Sequence, residues 1–193
     1  MSLRRRSLAL LAGCCLGLQP GGVEGRDLAG AAARIEAHLV ARDGAAAVAE
    51  ARALLQAVLE AGGLGVGFTT LSEPGPVGYG MFAPRPDNRY PQGMPVVIYV
   101  EPFGQRWVAA GPGLWRFDLD VDLEVFTPRG RRVARVSGIA VLSQELRRRA
   151  TELGVQLRYS IDAPPGAYVF VTTLRDRHGG GVARFRTDVE ITE

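Results

Sequence analysis

The chain has 193 residues, 47% of them hydrophobic and 22% charged, which excludes a disordered or collagen-like polymer and leaves length for one good core. Its formal charge of +3 is supplied by Arg4, Arg5 and Arg6; beyond Cys14 twenty arginines face twenty acids, and without a basic excess no nucleic acid partner is expected. All 23 basic residues are Arg, which reads as coding bias, and with Cys14 and Cys15 the only cysteines there is no internal disulfide and no thiolate metal site.

Arg4-Arg5-Arg6 followed by the apolar run Leu8 to Leu11 reads as the basic and apolar regions of an export signal. It is too short for the roughly 18 apolar residues of a membrane span. Leu11-Ala12-Gly13-Cys14 matches a bacterial lipobox, in which Cys14 is lipidated and becomes the new N-terminus. An ordinary secretory signal is the rival, Arg5-Arg6-Ser7-Leu8 partly matches a twin-arginine signal, and the plainer alternative is a cytoplasmic N-terminus without a signal. The expected location is outside the cytoplasm, periplasmic or as a membrane-anchored lipoprotein. Residues 1–14 are then the signal segment and 15–27 a linker.

Residues 28–62 are Ala-rich, with Leu28, Ala32, Ile35, Leu39 and then Val48, Leu54, Leu55, Val58 and Leu59 at three and four spacings. Asp43-Gly44 interrupts them, Asp43 suits an N-cap and Gly62-Gly63 a stop, so the spacing predicts a helical hairpin. One of its faces is expected to pack against the following domain.

From residue 63 to 193 the period becomes two. Trp115, Phe117, Leu119, Val121 and Leu123 alternate with Arg116, Asp118, Asp120, Asp122 and Glu124, the pattern of a strand with one buried and one wet face. A slip of one residue would put every carboxylate in the core, so the register is fixed. Leu64 to Leu71, Val96 to Val100, Arg131 to Val136 after the Pro128-Arg129-Gly130 turn, and Val155 to Ile161 read as further strands. Pro164-Pro165-Gly166 suits a type II turn, and Tyr168 to Leu174 with Ala183 to Ile191 form a hairpin around Asp176 to Gly180. Ser143 to Leu153, with Leu146, Ala150 and Leu153 on one face, predicts a short helix. The sum is a mostly β chain: an antiparallel immunoglobulin-like β-sandwich preceded by an α-helical hairpin, a small barrel being the alternative.

Two stretches carry a resemblance. Gly78-Tyr79-Gly80-Met81-Phe82-Ala83-Pro84-Arg85-Pro86-Asp87-Asn88, running on to Gly93-Met94-Pro95, Tyr99-Val100-Glu101-Pro102 and Gly104, and Ala163-Pro164-Pro165-Gly166-Ala167-Tyr168 are similar to an uncharacterised family of exported bacterial β-sandwich proteins. The resemblance implies the same β domain and no known chemistry. Gln105 to Gly113 and Gln144 to Gly154 depart from that family's pattern.

No catalytic constellation is legible. Asp118, Asp120 and Asp122 invite a cation, but same-face residues of a strand stand about 6.6 Å apart and point in parallel, whereas Ca²⁺ needs convergent oxygens. A solvated charged face is expected instead, with Arg131, Arg184 and Arg186 pairing across strands with these three acids. His38 and His178 are not at ligand spacing, and Ser137, Ser143 and Ser160 lack a nucleophile signature. No cofactor and no metal are expected.

The loop Arg85-Pro86-Asp87-Asn88-Arg89-Tyr90 with Glu101 is the binding candidate, flanked by Tyr79 and Phe82; Arg85 with Glu101 as a structural salt bridge is the plainer alternative. Trp107 offers a ring that could stack on a sugar or close the core. The expected function is a non-catalytic exported envelope protein, a binding or structural module using sandwich loops. Its partner would be an envelope protein or glycan, with the membrane reached only through a lipid anchor. A carboxylate-dependent hydrolase of an envelope polymer, acting through Asp87 and Glu101, is the alternative. A structural subunit assembling edge to edge is the third.

Overall fold

A computed structural model describes residues 27–193; the expected signal, the lipobox at Cys14 and all but the last residue of the expected linker lie outside the described residues. Two helices come first, α1 (Leu28–Val40) and α2 (Gly44–Gly62). Asp27 caps α1 by accepting from Gly30 N at 2.7 Å, and Asp43 caps α2 by accepting from Ala46 N at 2.9 Å. Gly63, at φ 73°, ends α2 where a side chain would be strained. The hairpin is joined internally by Arg34 and Glu50, but only Ala31 and Ala47 are buried in it. Its packing on the strands is therefore narrow, made by Leu55 and Leu59 near Pro102, Phe103 and Leu153 and by Arg149 on Glu60.

Nine strands follow among the described residues: β1 (Gly65–Leu71), β2 (Arg89–Pro91), β3 (Val96–Phe103), β4 (Val108–Gly111), β5 (Leu114–Phe126), β6 (Arg132–Leu146), β7 (Val155–Tyr159), β8 (Gly166–Asp176) and β9 (Val182–Thr192). β1, β3 and β7 form one sheet; β2, β9, β8, β5 and β4 form the other, with β6 also on β5. All pairings are antiparallel except β2 with β9. The body is thus mostly β, curled as a half-barrel.

The alternation in β5 does what its pattern requires. Phe117, Leu119, Val121 and Leu123 are buried, and they meet Val96, Ile98 and Val100 of β3 and Phe170 and Leu174 of β8 in one apolar cluster. β3 is buried throughout Val96 to Val100 because its second face, Val97 and Tyr99, is roofed by the chain between β1 and β3: Phe82 stacks on Tyr99 at 4.2 Å.

Three expectations fail. Ser143 to Leu153 is not a helix: β6 runs on through Leu146, because Leu142 and Leu146 pair with Leu119 and Trp115 and ladder bonds to β5 outweigh the helical spacing. Gly166 stands at φ 153° rather than the roughly +80° that a type II turn needs, and opens β8 instead. The short strands β2 and β4 fall where only loops were expected.

Candidate functional site

The 85–90 loop is a piece of scaffold. Arg85 Nη1 donates to Glu73 Oε1 at 2.8 Å, Nη2 donates to the Arg89 carbonyl at 2.7 Å, and the guanidinium lies 4.2 Å from the Tyr90 ring centroid. Asp87 Oδ1 accepts from Arg89 N at 3.1 Å and stands 3.8 Å from Arg85 Nε, an Asx turn with a charge beside it. The Asn88 carbonyl accepts from Glu190 N at 2.8 Å, which seats the loop on β9. Tyr90 is buried with its hydroxyl toward the Val97 carbonyl, and burial pushes its pKa up.

Two readings of these residues are corrected. Arg85 does not bridge to Glu101; its partner is Glu73, which follows β1. Trp107 is buried edge-on against Phe117 at 5.0 Å, so its ring closes the core and offers no face to a sugar.

Glu101 belongs to a different constellation. Tyr99 and Glu101 share one face of β3, and the Tyr99 hydroxyl accepts from Gly80 N at 2.8 Å while its single proton faces Glu101 Oε1 at 2.7 Å and the Gly78 carbonyl at 3.0 Å. Burial first, then the hydrogen bond to Glu101, raises Tyr99 to about 12. This hydroxyl pins the Gly78–Met81 turn, with Gly80 at φ 67°, over β3. The turn holds Tyr79 and Met81 out in solvent beside Phe68, which sits 5.8 Å from Phe82. Next to them a cleft of about 220 Å³ is lined by Leu55, Leu59, Tyr79, Glu101, Phe103 and Leu153. Glu101 lines it and Asp87 does not, so the two carboxylates proposed for hydrolysis do not share that cleft. The Gly-Tyr-Gly-Met-Phe stretch carried the signal for this patch, but as a family likeness it said nothing of exposure.

The charged face of β5 is more organised than its alternation suggested. Asp122 takes Arg175 at 2.9 Å, Glu124 takes Arg132 at 2.9 Å and Arg184 at 2.7 Å, and Asp120 takes Arg177. None of the three arginines expected to pair with Asp118, Asp120 or Asp122 does so: Arg184 crosses to Glu124 instead. Arg186 turns to Asp188 on its own strand, and Arg131 gives its place to Arg132, which reaches Glu124 across the irregular β5–β6 register.

Asp118 is the centre of a separate group. Its Oδ1 accepts from Ser143 Oγ at 2.6 Å, its Oδ2 lies 2.6 Å from His178 Nε2, and Arg116 Nε is 3.0 Å away. The Ser143 hydroxyl first, then His178 and Arg116, hold the carboxyl below its ordinary value. Here the carboxylate stands between hydroxyl and imidazole, whereas a hydrolytic triad needs the imidazole between the other two. The arrangement orients side chains and has no base on the serine except the carboxylate itself. Among the described residues no group of three or more His, Cys, Asp or Glu converges on a point where an ion could sit.

No family model matches the chain and no curated protein matches it. Solved structures give only distant likenesses. They include the sporulation control protein Spo0M from Bacillus subtilis (TM-score 0.31, 15% identity, 68% of this chain and 50% of that one). A calcium-binding mutant of Bacteroides uniformis beta-glucuronidase 2 gives a TM-score of 0.33 at 12% identity over 66% of this chain and 13% of the enzyme. The Pseudomonas fluorescens alkylpurine DNA glycosylase AlkC, bound to DNA containing an abasic site analog, gives 0.34 at 12% identity over 78% and 40%. This chain therefore spans half or less of the length of each, and at these scores none assigns it an activity.

Proposed function

We propose that the chain is a non-catalytic binding module of the cell envelope, exported through its N-terminal segment, tethered through a lipidated Cys14, and built as an immunoglobulin-like β-sandwich. The observation that carries the binding reading is the patch of Phe68, Tyr79 and Met81, which are 45%, 52% and 64% exposed, with Tyr79 lining the Glu101 cleft. Contiguous apolar surface rimmed by polar groups marks an interaction site more often than accident. Glu101 adds an acceptor: its Oε1 is engaged by Tyr99 and Gly80 N, and Oε2 has no hydrogen-bond partner among the described residues. The partner of this patch is an envelope protein or glycan with an apolar face and a hydroxyl or amide donor. The sandwich reading is supported by the single apolar cluster that the core-facing residues of β3 and β7 share with those of β5, β8 and β9.

The carboxylate-hydrolase reading has less support, because Asp87 is spent on the Arg85 turn and Glu101 faces the cleft without it. Photo-crosslinking from position 79 in intact cells tests the binding reading. A discrete adduct with one envelope component, lost in Met81→Ser, supports it; no adduct above the level given by a probe at the solvent-exposed position 129 overturns it. Mass spectrometry of the mature N-terminus tests the tether, which an unprocessed Met1 would overturn while leaving the patch in place.

A further inference from the structure

The charged face opposite the core is layered. The carboxylates lie at the bottom, with side chains of Asp118, Asp122 and Glu124 only 12–14% exposed, while the guanidiniums that cover them, Arg116, Arg175, Arg184 and Arg132, are 43–57% exposed. Asp120 is less covered, at 34%, beneath Arg177. A chain whose total charge is balanced beyond Cys14 thus shows solvent a cationic band on this sheet. Arg135, opposite Glu124 in the β5–β6 register, adds to the excess: it makes no hydrogen bond or ion pair among the described residues and acts on Glu124 and Asp122 through its charge. Beside it, a groove of about 360 Å³ runs between Asp122, Glu124, Arg135, Thr173, Arg175 and Arg184. Glu145 and Asp188 lie at the margins, each within reach of an arginine.

We propose that this layer of guanidiniums is a binding surface for a linear acidic polysaccharide, whose carboxylates dock along β5. Each guanidinium carries five N–H donors and spends one or two on the carboxylate below, so several remain directed outward. The buried acids hold these long side chains upright, which lowers the ordering cost of binding. Partner acids recur every second residue of β5, about 6.6 Å apart, and guanidiniums reach them from β5, β6, β8, β9 and the β8–β9 turn, so the cations form a band suited to a chain of repeating anions rather than to a single one. A planar carboxylate matches the guanidinium fork in two hydrogen bonds. No Phe, Tyr or Trp of the described residues stands on this face, and single-stranded nucleic acid lacks the stacking platform it uses.

Polygalacturonate is the probe, with neutral dextran, single-stranded DNA and vesicles containing anionic lipid as the other arms. The full chain is expected to bind polygalacturonate at low salt, to lose it as salt rises, and to ignore dextran. Arg135→Gln breaks no hydrogen bond or ion pair among the described residues and sets no second carboxylate opposite Glu124; it should weaken binding about threefold and reduce the salt slope by about one, following counterion release. The double variant Arg175→Gln with Arg184→Gln is a second probe of the same band. No binding of polygalacturonate, binding unchanged in Arg135→Gln, or tighter binding of DNA or vesicles each overturns the proposal. Met81→Ser is expected to bind as wild type, which separates this face from the Tyr79 patch, and a loss there would assign the polysaccharide to the patch instead.

Discussion

His178 Nε2 stands 2.6 Å from Asp118 Oδ2 and so ties the turn between β8 and β9 to the middle of β5. Asp176, two residues earlier, supports the same turn by accepting from the His178 and Arg106 backbone N–H groups at 2.9 and 2.6 Å. The first prediction concerns acid. The Asp118 pKa is lowered below its ordinary 3.8, so its stabilisation is fully present above that value in the unfolded chain and is lost as pH falls through the lower folded value. Asp118→Asn should cost about 2 kcal/mol at pH 7, the scale of hydrogen bonds to a charged group. In urea unfolding the gap to wild type should narrow at pH 3. An equal gap at both pH values would show that the charge is not what stabilises the turn.

The tyrosines give a second, alkaline signature. Burial raises Tyr159 to about 12 against only a lowering hydrogen bond from Thr172, and Tyr99 rises to about 12 through burial and Glu101. Both favour the neutral form in the folded chain, so their contribution is complete below pH 10 and is lost as pH rises from there through the folded value. Ultraviolet titration should show Tyr99 and Tyr159 ionising late, or only together with unfolding. Tyr99→Phe should remove one of these late-titrating signals and lower stability by about 1–2 kcal/mol, since Gly80 N and Glu101 lose their shared partner.

These two sites differ in how far the sequence displayed them. The Trp115 to Leu123 alternation specified β5, its register and its buried face, because period two and burial are the same statement for a strand with one wet side. The caps at Asp43 and Gly63 were equally local and equally legible. β6 was not: its second half has helical spacing, and only pairing with β5, a long-range fact, makes it a strand. The Arg85 to Glu101 pairing failed for a related reason, since residues 16 apart were judged by charge, while Glu73 reaches Arg85 through the fold of the chain between β1 and β3. The stratified arginine layer was invisible in composition, where acids and bases cancel. Depth, not count, separates them.

Gly154 tests whether the Tyr79 turn is held from both sides. A Cβ placed there would collide with the Gly78 carbonyl and meet the Tyr99 hydroxyl, backbone and pinned side chain that have no room to yield. Gly154→Ala should therefore displace the Gly78–Met81 turn, cost about 1–3 kcal/mol as overpacking does, and abolish crosslinking from position 79 while the far side of the molecule stays unchanged. Hydrogen exchange confined to residues near 78–81 and 152–155 is the expected readout. Uniform change across β5, β8 and β9 would mean that Gly154 supports the whole body instead.

β6 raises the question of assembly. It has β5 on one side, no strand on the other among the described residues, and exposed Val133, Val136 and Val141, which is the profile of a strand that could pair with a second chain. Its edge is broken, however. Between the pairs Leu123 with Val136 and Val121 with Ala140, three residues stand opposite Asp122 alone, and Gly138 at φ 62° turns its N–H to Asp122 Oδ1 at 2.8 Å. That bond is the largest cause of the lowered Asp122 pKa. Bulges of this kind twist an edge away from flat pairing. Sedimentation should therefore show the chain, freed of residues 1–26, as a monomer. Gly138→Val has open space for its side chain but a left-handed backbone that a β-branched residue resists, at about 1–2 kcal/mol. Relief of that strain straightens the edge, so the variant should self-associate with rising concentration. A wild-type dimer that Gly138→Val dissociates would reverse the reading and make the bulge part of an interface.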